Sequence, residues 1–282
     1  MKILVTGGVG FIGSNLIRRL LSDGHIVRSV DNYSTGKVEN EVSGCNYYRC
    51  NVTDIGSIKE HDFDVIFHLA ALARIQPSFI HPSETFKSNV VGTEAVLEFA
   101  RKNGAKVVYA GSSSRWHDPR QSPYAMCKYL GEELCKMYRA SLGCKIQIAR
   151  FYNVYGPGEI IDGDYATVIG IWRRQIRDGE PLTITGDGEQ RRDFTHVSDI
   201  VDGLCKIMVT EYYHTDAWEL GTGINYSINE LYSMFYERFG SIKINIPDLP
   251  GNYRITLREH SDALEQLGWA PMDRLIDYIS RL

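Results

Sequence analysis

Tyr124 and Lys128 stand four positions apart in SPYAMCKYLGEE, residues 122–133, a spacing that puts both on one face of a helix. A free phenol titrates at about 10 and is a poor base at neutral pH unless nearby positive charge favours its phenolate. Lys128, one turn on, offers that charge, and an oxidised nicotinamide ring would add a second. Together they would let Tyr124 take a hydroxyl proton while hydride leaves the same carbon. The bare spacing also fits a half-buried ring beside a snorkelling lysine. Position separates the two readings: the pair follows the strand-like run VVYAGSSS, whose carboxyl end faces the crevice where open α/β sheets hold ligands. The hydroxyls there, Ser112, Ser113 and Ser114, are candidate partners of the tyrosine and of a substrate oxygen, and the catalytic serine is Ser113 or one of its two neighbours.

A second constellation lies near the N-terminus. TGGVGFIGS, residues 6–14, satisfies both Gly8-x-Gly10-x-x-Gly13 and Gly7-x-x-Gly10-x-x-Gly13 between a strand pattern and a helical one. Glycine there permits a tight turn, lets the backbone approach a pyrophosphate and lets helix and strand pack closely. The N–H groups of Phe11, Ile12 and Gly13 at the helix opening then face phosphate oxygens. Asp31 ends the next strand pattern 18 residues after Gly13, placed to accept hydrogen bonds from an adenosine ribose and to repel a 2′-phosphate. NAD is therefore the expected cofactor, not NADP.

The elements that must position these groups follow a regular alternation. KILVT (2–6), IVRSVD (26–31), DVIFHLA (64–70), AKVVYAGS (105–112) and KIQIARF (145–151) read as strands, and residues 11–24, 83–102 and 122–142 as helices between them. That rhythm predicts an α/β fold of Rossmann type, a doubly wound parallel sheet covered on both faces, with residues 1–153 as the NAD-binding core. From YGPGEIIDGD onward, glycine and turn formers and shorter elements mark a smaller C-terminal substrate-binding lobe, residues 154–282, some segments of which return to the first domain. Helices are expected there near 164–178, 198–210 and 228–239.

Bulk numbers exclude several classes. The 282 residues are 43% hydrophobic and 23% charged with a formal net charge of −4, which offers no polybasic arm for nucleic acid. No apolar run reaches membrane-spanning length. Six scattered cysteines without a CxxC pair fit a reducing, cytoplasmic setting in which they serve as small hydrophobes, and no metal site is expected.

With DNYSTG (31–36), HLAA (68–71), NVVGT (89–93), RFYNVYGPG (150–158), GDGEQRRDFTHVSDIVDG (186–203) and LGWAP (267–271) added to the motifs above, the chain resembles the extended short-chain dehydrogenase/reductases. More narrowly, it resembles the NAD-dependent sugar-nucleotide epimerase/dehydratase group, and over nearly its whole length. The resemblance implies that Asp31 and Asn32 hold the adenosine and that Asn51 and Val52 lie by the adenine. It implies further that Leu69, Ala70, Ala71 and Asn89 line the cofactor with Tyr124 and Lys128, and that Asn153, Arg192 and Arg254 contact a nucleotide diphosphate, whose oxygens suit a guanidinium fork. The RDF string alone also allows a surface ion pair between Arg192 and Asp193. A homodimer through the helices over 83–102 and 122–142 is implied as well. Three departures stand out: Asn51 replaces a common aspartate, a shortened loop carries Trp116 and His117 where many relatives have a valine-tyrosine-glycine turn, and Ala73, followed by Arg74, occupies the place of a lysine found in some members.

The expected reaction is 4-epimerisation of a nucleotide-sugar, a UDP-sugar foremost, through a transient 4-keto sugar with Tyr124 as base. A 4,6-dehydratase would need further acid/base groups, which relatives of that kind usually carry as an aspartate-glutamate pair where this chain reads Ser114-Arg115. Asp118, Glu132 and Glu133 are the substitutes, although the two glutamates read as exposed helix-face charges. A sugar-acid decarboxylase shares the first oxidation, and a non-catalytic NAD sensor would keep the fold without the chemistry. His117 reads as a loop side chain packed on Trp116 in preference to a proton shuttle.

Overall fold

The computed structural model describes residues 1–282. β1 (Lys2–Thr6) leads through the glycine turn into α1 (Phe11–Ser22), and β2 (Ile26–Asp31), β3 (Asn46–Arg49) and β4 (Val65–His68) follow. The short β3 was not foreseen, because its sequence NYYR is half-exposed at the sheet edge and carries no apolar alternation. An unforeseen short α2 (Ile75–Ile80) precedes the helix expected over 83–102, which runs unbroken over 82–103 as α3 (Pro82–Phe86), a π turn over Lys87–Val91 and α4 (Gly92–Asn103). β5 (Lys106–Ser112) is buried along all seven residues, as a strand covered on both faces must be.

α5 (Pro123–Leu142) carries the tyrosine–lysine pair, and its ends are written in local sequence. The Ser122 hydroxyl accepts from the Ala125 N–H at 3.1 Å, Pro123 fits the first turn, and Gly143 ends the helix in the left-handed region. Then come β6 (Ile146–Phe151), β7 (Asn153–Tyr155), α6 (Val168–Asp178), β8 (Leu182–Thr185), β9 (Arg191–His196) and α7 (Val197–Val209). β10 (Trp218–Leu220), β11 (Asn225–Ser227), α8 (Ile228–Phe239), β12 (Lys243–Ile246), α9 (Asp262–Leu267) and α10 (Leu275–Ser280) complete the chain.

Seven parallel strands form the main sheet in the order β3-β2-β1-β4-β5-β6-β10. This is the doubly wound Rossmann order, and the winding reverses between β1 and β4, which opens a crevice at their carboxyl ends. α1 and α7 pack one face of the sheet and α4 and α5 the other, each over its own apolar core. A third core, built from Tyr155, Trp172, Phe194, Phe235 and Leu275 among others, belongs wholly to residues after 153. The tail nevertheless returns: β10 pairs with β6, and Trp269 lies in the core beneath α7 with its indole N–H bonded to the Asp199 carbonyl at 2.8 Å. Cys127, Cys135 and Cys205 are buried and the other three cysteines half-buried, all unpaired. No helix is long and apolar enough to cross a membrane.

Candidate active site

After β1 the backbone passes through Gly7 at φ +77°, where a Cβ would sit 2.8 Å from the Ala70 nitrogen, and at Gly13 a Cβ would run into the Gly7 carbonyl oxygen. Side chains would fill this cradle, so only glycine leaves it open. α1 begins at Phe11 without a side-chain cap, which leaves the N–H groups of Phe11, Ile12 and Gly13 and the positive end of the helix dipole to a ligand. At the end of β2 the buried Asp31 accepts from the N–H groups of Val9 (3.1 Å) and Tyr33 (2.8 Å), and each oxygen keeps a free lone pair. Burial pushes its carboxyl up while those N–H bonds oppose the rise. Asn32 donates to Asn51 Oδ1 at 2.7 Å, and Val52 packs inward against Gly92.

The loop after β4, with Leu69, Ala70 and Ala71, abuts this turn and is held by a hydrogen-bond chain of fixed direction. Thr93 Oγ1 gives its proton to the Asn89 carbonyl at 2.7 Å, so it accepts from His68 Nε2–H at 3.0 Å. The neutral ring then accepts at Nδ1 from Thr6 Oγ1 (2.8 Å), which itself accepts from the Ala70 N–H (3.2 Å). Burial lowers the His68 pKa to about 3, with the Lys128 charge acting in the same sense, which keeps the ring uncharged. Asn89 clasps Leu72 with both ends of its amide, at 2.8 and 2.9 Å, so it shapes the loop that lines the crevice.

Ser112 closes β5 and caps the short turn that follows, its Oγ accepting from the Ser114 N–H at 3.1 Å. Its own proton remains for the Tyr124 phenol. Burial raises the Tyr124 pKa, and the Ser112 hydroxyl and the Arg74 charge work against that rise. Ser113 is half-buried and Ser114 is buried with its hydroxyl unpartnered. Of the three candidate serines, Ser112 is the one whose hydroxyl acts on the Tyr124 phenol; the strand ends at 112 and the backbone turns, so consecutive serines face different surroundings. Lys128 is buried and donates to the Ala110 carbonyl at 2.7 Å, and burial lowers its pKa to about 8, which leaves it charged at neutral pH. The Arg74 charge acts on Tyr124 in the same sense as the Ser112 hydroxyl, and Arg74 itself donates through Nε to the Tyr165 carbonyl at 2.8 Å.

At the second lobe, Arg192 donates to the Arg191 carbonyl (2.9 Å) and to Asn252 Oδ1 (2.6 Å), and burial lowers its pKa to about 10. It does not pair with Asp193. Neighbours on a strand point to opposite faces, and Asp193 is fully buried on the other, accepting from the N–H groups of Thr222 (2.9 Å), Gly223 (3.0 Å) and Arg258 (3.1 Å). Asn153 donates to Thr256 Oγ1 at 2.9 Å. Arg254 is not drawn into this cluster: its side chain is 61% exposed and bound to Asp187 at 2.7 Å. Its neighbour Tyr253 turns inward instead, 8% exposed with its hydroxyl unpartnered, and stacks on His117 with ring centroids 3.9 Å apart. His117 thus packs on a side chain from the second lobe and not on Trp116, which lies over Arg150 and donates to Glu219 at 2.8 Å. Glu132, expected on an exposed helix face, is buried against Arg150. Glu133 is half-buried and pairs with Arg115 at 2.9 Å.

The sequence model of the NAD dependent epimerase/dehydratase family matches residues 3–221. The chain belongs to this family. Among relatives of this epimerase/dehydratase, UDP-glucuronic acid decarboxylase 4 of Arabidopsis thaliana is 32% identical over 96% of the chain, and the chain spans only 65% of that protein's length. UDP-glucose 4-epimerase from Thermotoga maritima, solved with UDP-glucose, superposes with a TM-score of 0.91 at 31% identity, covering 99% of this chain and 96% of that one. A mutant of UDP-glucuronic acid 4-epimerase from Bacillus cereus, in complex with UDP-4-deoxy-4-fluoro-glucuronic acid and NAD, gives 0.87 at 28% identity, covering 99% and 97%.

The glycine cradle, the uncapped start of α1 and Asp31 fit NAD, the cofactor of the epimerase/dehydratase family. Sequence reading missed His68, Thr6 and Thr93 as the chain that stiffens the crevice loop, although HLAA and NVVGT contain two of them. It also missed Tyr253, for which an aromatic residue in a turn-rich segment carried no signal.

Proposed function

We propose that the protein is an NAD-dependent nucleotide-sugar 4-epimerase acting on a UDP-sugar through a transient 4-keto intermediate. The observation that carries this reading is the placement of Ser112 at the carboxyl end of β5 and of Tyr124 in the first turn of α5, with Lys128 bonded back to the Ala110 carbonyl of β5, in the same sheet as the glycine cradle after β1. NAD supplies the hydride acceptor for C4 and the hydride donor for its re-reduction. Tyr124 Oη takes the C4 hydroxyl proton, Ser112 Oγ bonds the same sugar oxygen, and Lys128 is suited to the nicotinamide ribose. Arg192 and Asn153 serve the diphosphate, about which the keto sugar turns before Tyr124 returns the proton.

A 4,6-dehydratase would need a carboxylic acid to help a C6 hydroxyl leave, and the carboxylate nearest in sequence pattern, Glu132, is engaged by Arg150. The names of the relatives favour UDP as the nucleotide. Phe86, Val91 and Met137, exposed along the segments over 82–103 and 123–142, supply apolar surface for the homodimer this reading includes, and six unpaired thiols accord with a cytoplasmic home. Incubation with UDP-, dTDP- and GDP-sugars followed by mass and NMR analysis tests the reading. An epimer of unchanged mass is expected; loss of water or of carbon dioxide would assign the dehydratase or the decarboxylase, and bound NAD that stays oxidised with every sugar would leave a sensor.

A further inference from the structure

The segment over 247–253 crosses from the second lobe onto the first. Backbone bonds hold it at both ends, from the Gly186 N–H to the Ile246 carbonyl at 2.9 Å before it and from the Arg191 N–H to the Arg254 carbonyl at 2.9 Å after it. Between those anchors its main chain bonds only to itself, where the Asn252 N–H closes a turn on the Leu249 carbonyl at 3.3 Å. Side chains hold it down. Gln76 donates to the Pro250 carbonyl at 2.8 Å, Arg192 donates to Asn252 Oδ1 at 2.6 Å, and the Tyr253 ring stacks on His117. A Cβ on Gly251 would lie 2.9 Å from Ile75 Cγ2 and 3.3 Å from the Gln121 carbonyl oxygen. The strap thus rests on α2 and on the loop that carries His117 and Gln121, and both border the start of α5, where the Tyr124 N–H donates to Ser78 Oγ of α2 at 3.1 Å. A segment held by side chains and not by a backbone ladder opens at low cost.

Tyr253 is the buried residue of this strap. Its side chain is enclosed and its hydroxyl has no hydrogen-bond partner. The Ser122 hydroxyl beside it caps α5 at Ala125 and makes no bond with it. Burial pushes the phenol up to about 12, the Tyr124 charge acting in the same sense and the Ser122 hydroxyl and Arg192 charge opposing, so the group is a neutral donor at physiological pH. A buried hydroxyl left without a partner is unfavourable, and a ligand that supplies the partner recovers that cost. The ring is already held by its stack on His117, so little rotamer freedom is lost when the hydroxyl bonds.

With the diphosphate at Arg192 and C4 at Tyr124, the hexosyl group lies between the strap's contact with Arg192 and the start of α5, the span that Tyr253 covers. We infer that Tyr253 Oη donates a hydrogen bond to a hydroxyl of the hexosyl group, so that closing of the strap over 247–253 is coupled to the sugar. The inference rests on Tyr124 and Arg192 holding the nucleotide-sugar as proposed above. The strap lifts to admit the nucleotide-sugar, and it settles with a bond that the empty closed form lacks, which is the differential interaction that favours closure. His117 is the platform of this donor, brought there by the shortened loop that sets the chain apart.

Calorimetric titration of the NAD-bound protein with UDP-glucose and with UDP, which lacks the hexosyl group, reads the contact as binding. Tyr253→Phe, which keeps a ring on His117, should weaken UDP-glucose by ~10-fold and UDP by less than ~2-fold. Without nucleotide, the urea midpoint of Tyr253→Phe should be no lower than that of the unaltered protein, because the hydroxyl removed had no partner. UDP-glucose binding that is unchanged in Tyr253→Phe, or UDP weakened as much as UDP-glucose, overturns the assignment to the sugar. A lowered midpoint overturns it too, by giving the hydroxyl a partner within the protein such as Ser122. A loss specific to UDP-glucose in a protein that interconverts no nucleotide-sugar pair overturns the epimerase reading and leaves the contact in place; interconversion without that loss does the reverse.

Discussion

Arg150 and Glu132 meet as a doubly bonded pair, Nη2 to Oε2 at 2.8 Å and Nε to both carboxylate oxygens at 3.1 and 3.2 Å, with 1% of either side chain exposed. Asp216 adds a further bond to the guanidinium at 3.0 Å. Glu132 is thereby a counter-ion to a guanidinium on β6, and removing its charge leaves Asp216, at 2.7 Å, as the close carboxylate of a buried ion cluster. Glu132→Gln should cost ~3 kcal/mol in urea unfolding, while the folded fraction keeps its kcat. A fall in kcat at unchanged stability would instead give Glu132 a role in proton transfer.

The three serines make a sharper test of the site. Tyr124→Phe should lower kcat by ~10³-fold and Ser112→Ala by ~10²-fold, both with NAD retained, because each removes a group from the proton transfer. Ser113→Ala should change kcat by less than ~3-fold. If Ser113→Ala is the more damaging, the hydroxyl partner of the tyrosine has been misassigned.

His68 makes stability depend on pH. Its folded pKa of about 3 lies below that of an unfolded histidine, so below the unfolded value the unfolded chain binds a proton that the native protein refuses. Stability is full above that value and falls as pH drops from about 6.5 toward 3. Between pH 7 and 5 the loss from this group is about 2 kcal/mol. Urea unfolding at the two pH values should show that extra loss in the unaltered protein and not in His68→Gln; equal losses would mean that the ring is not buried neutral.

Gly7→Ala and Gly13→Ala place a methyl group against the Ala70 nitrogen and the Gly7 carbonyl. Both proteins should be purified without NAD and bind added NAD at least ~100-fold more weakly by fluorescence titration. Retained NAD would show that the turn can widen, and would remove the cradle argument.

His117→Ala deletes the stack on Tyr253 without touching the phenol of Tyr124. An aromatic pair of this kind is worth ~1 kcal/mol, so KM should rise a few-fold while kcat holds. A loss of kcat as large as that of Tyr124→Phe, with a changed pH profile, would make the imidazole a proton carrier.

Much of this architecture could be read from one sequence because its causes are local. A positive φ at Gly7, a Ser122-Pro123 helix start and strands rich in apolar residues are set by backbone sterics, capping and burial on two faces, each visible within a few residues. The same holds for the acid after β2 and for the tyrosine–lysine spacing of α5. β3 was not legible, since an edge strand with two tyrosines and exposed polar ends has no pattern of its own.

Sequence alone thus determined the Rossmann core, the NAD turn and the helix that carries Tyr124. Only the tertiary structure decided that Ser112 caps the turn after β5 while Ser113 and Ser114 have other surroundings, that Arg254 faces solvent while Tyr253 turns onto His117, and that Glu132 is buried. These outcomes depend on groups from separate segments, His117 with Tyr253 or Glu132 with Arg150, meeting in space. Desolvation and long-range packing govern such meetings, and neither has a period or a spacing in the chain.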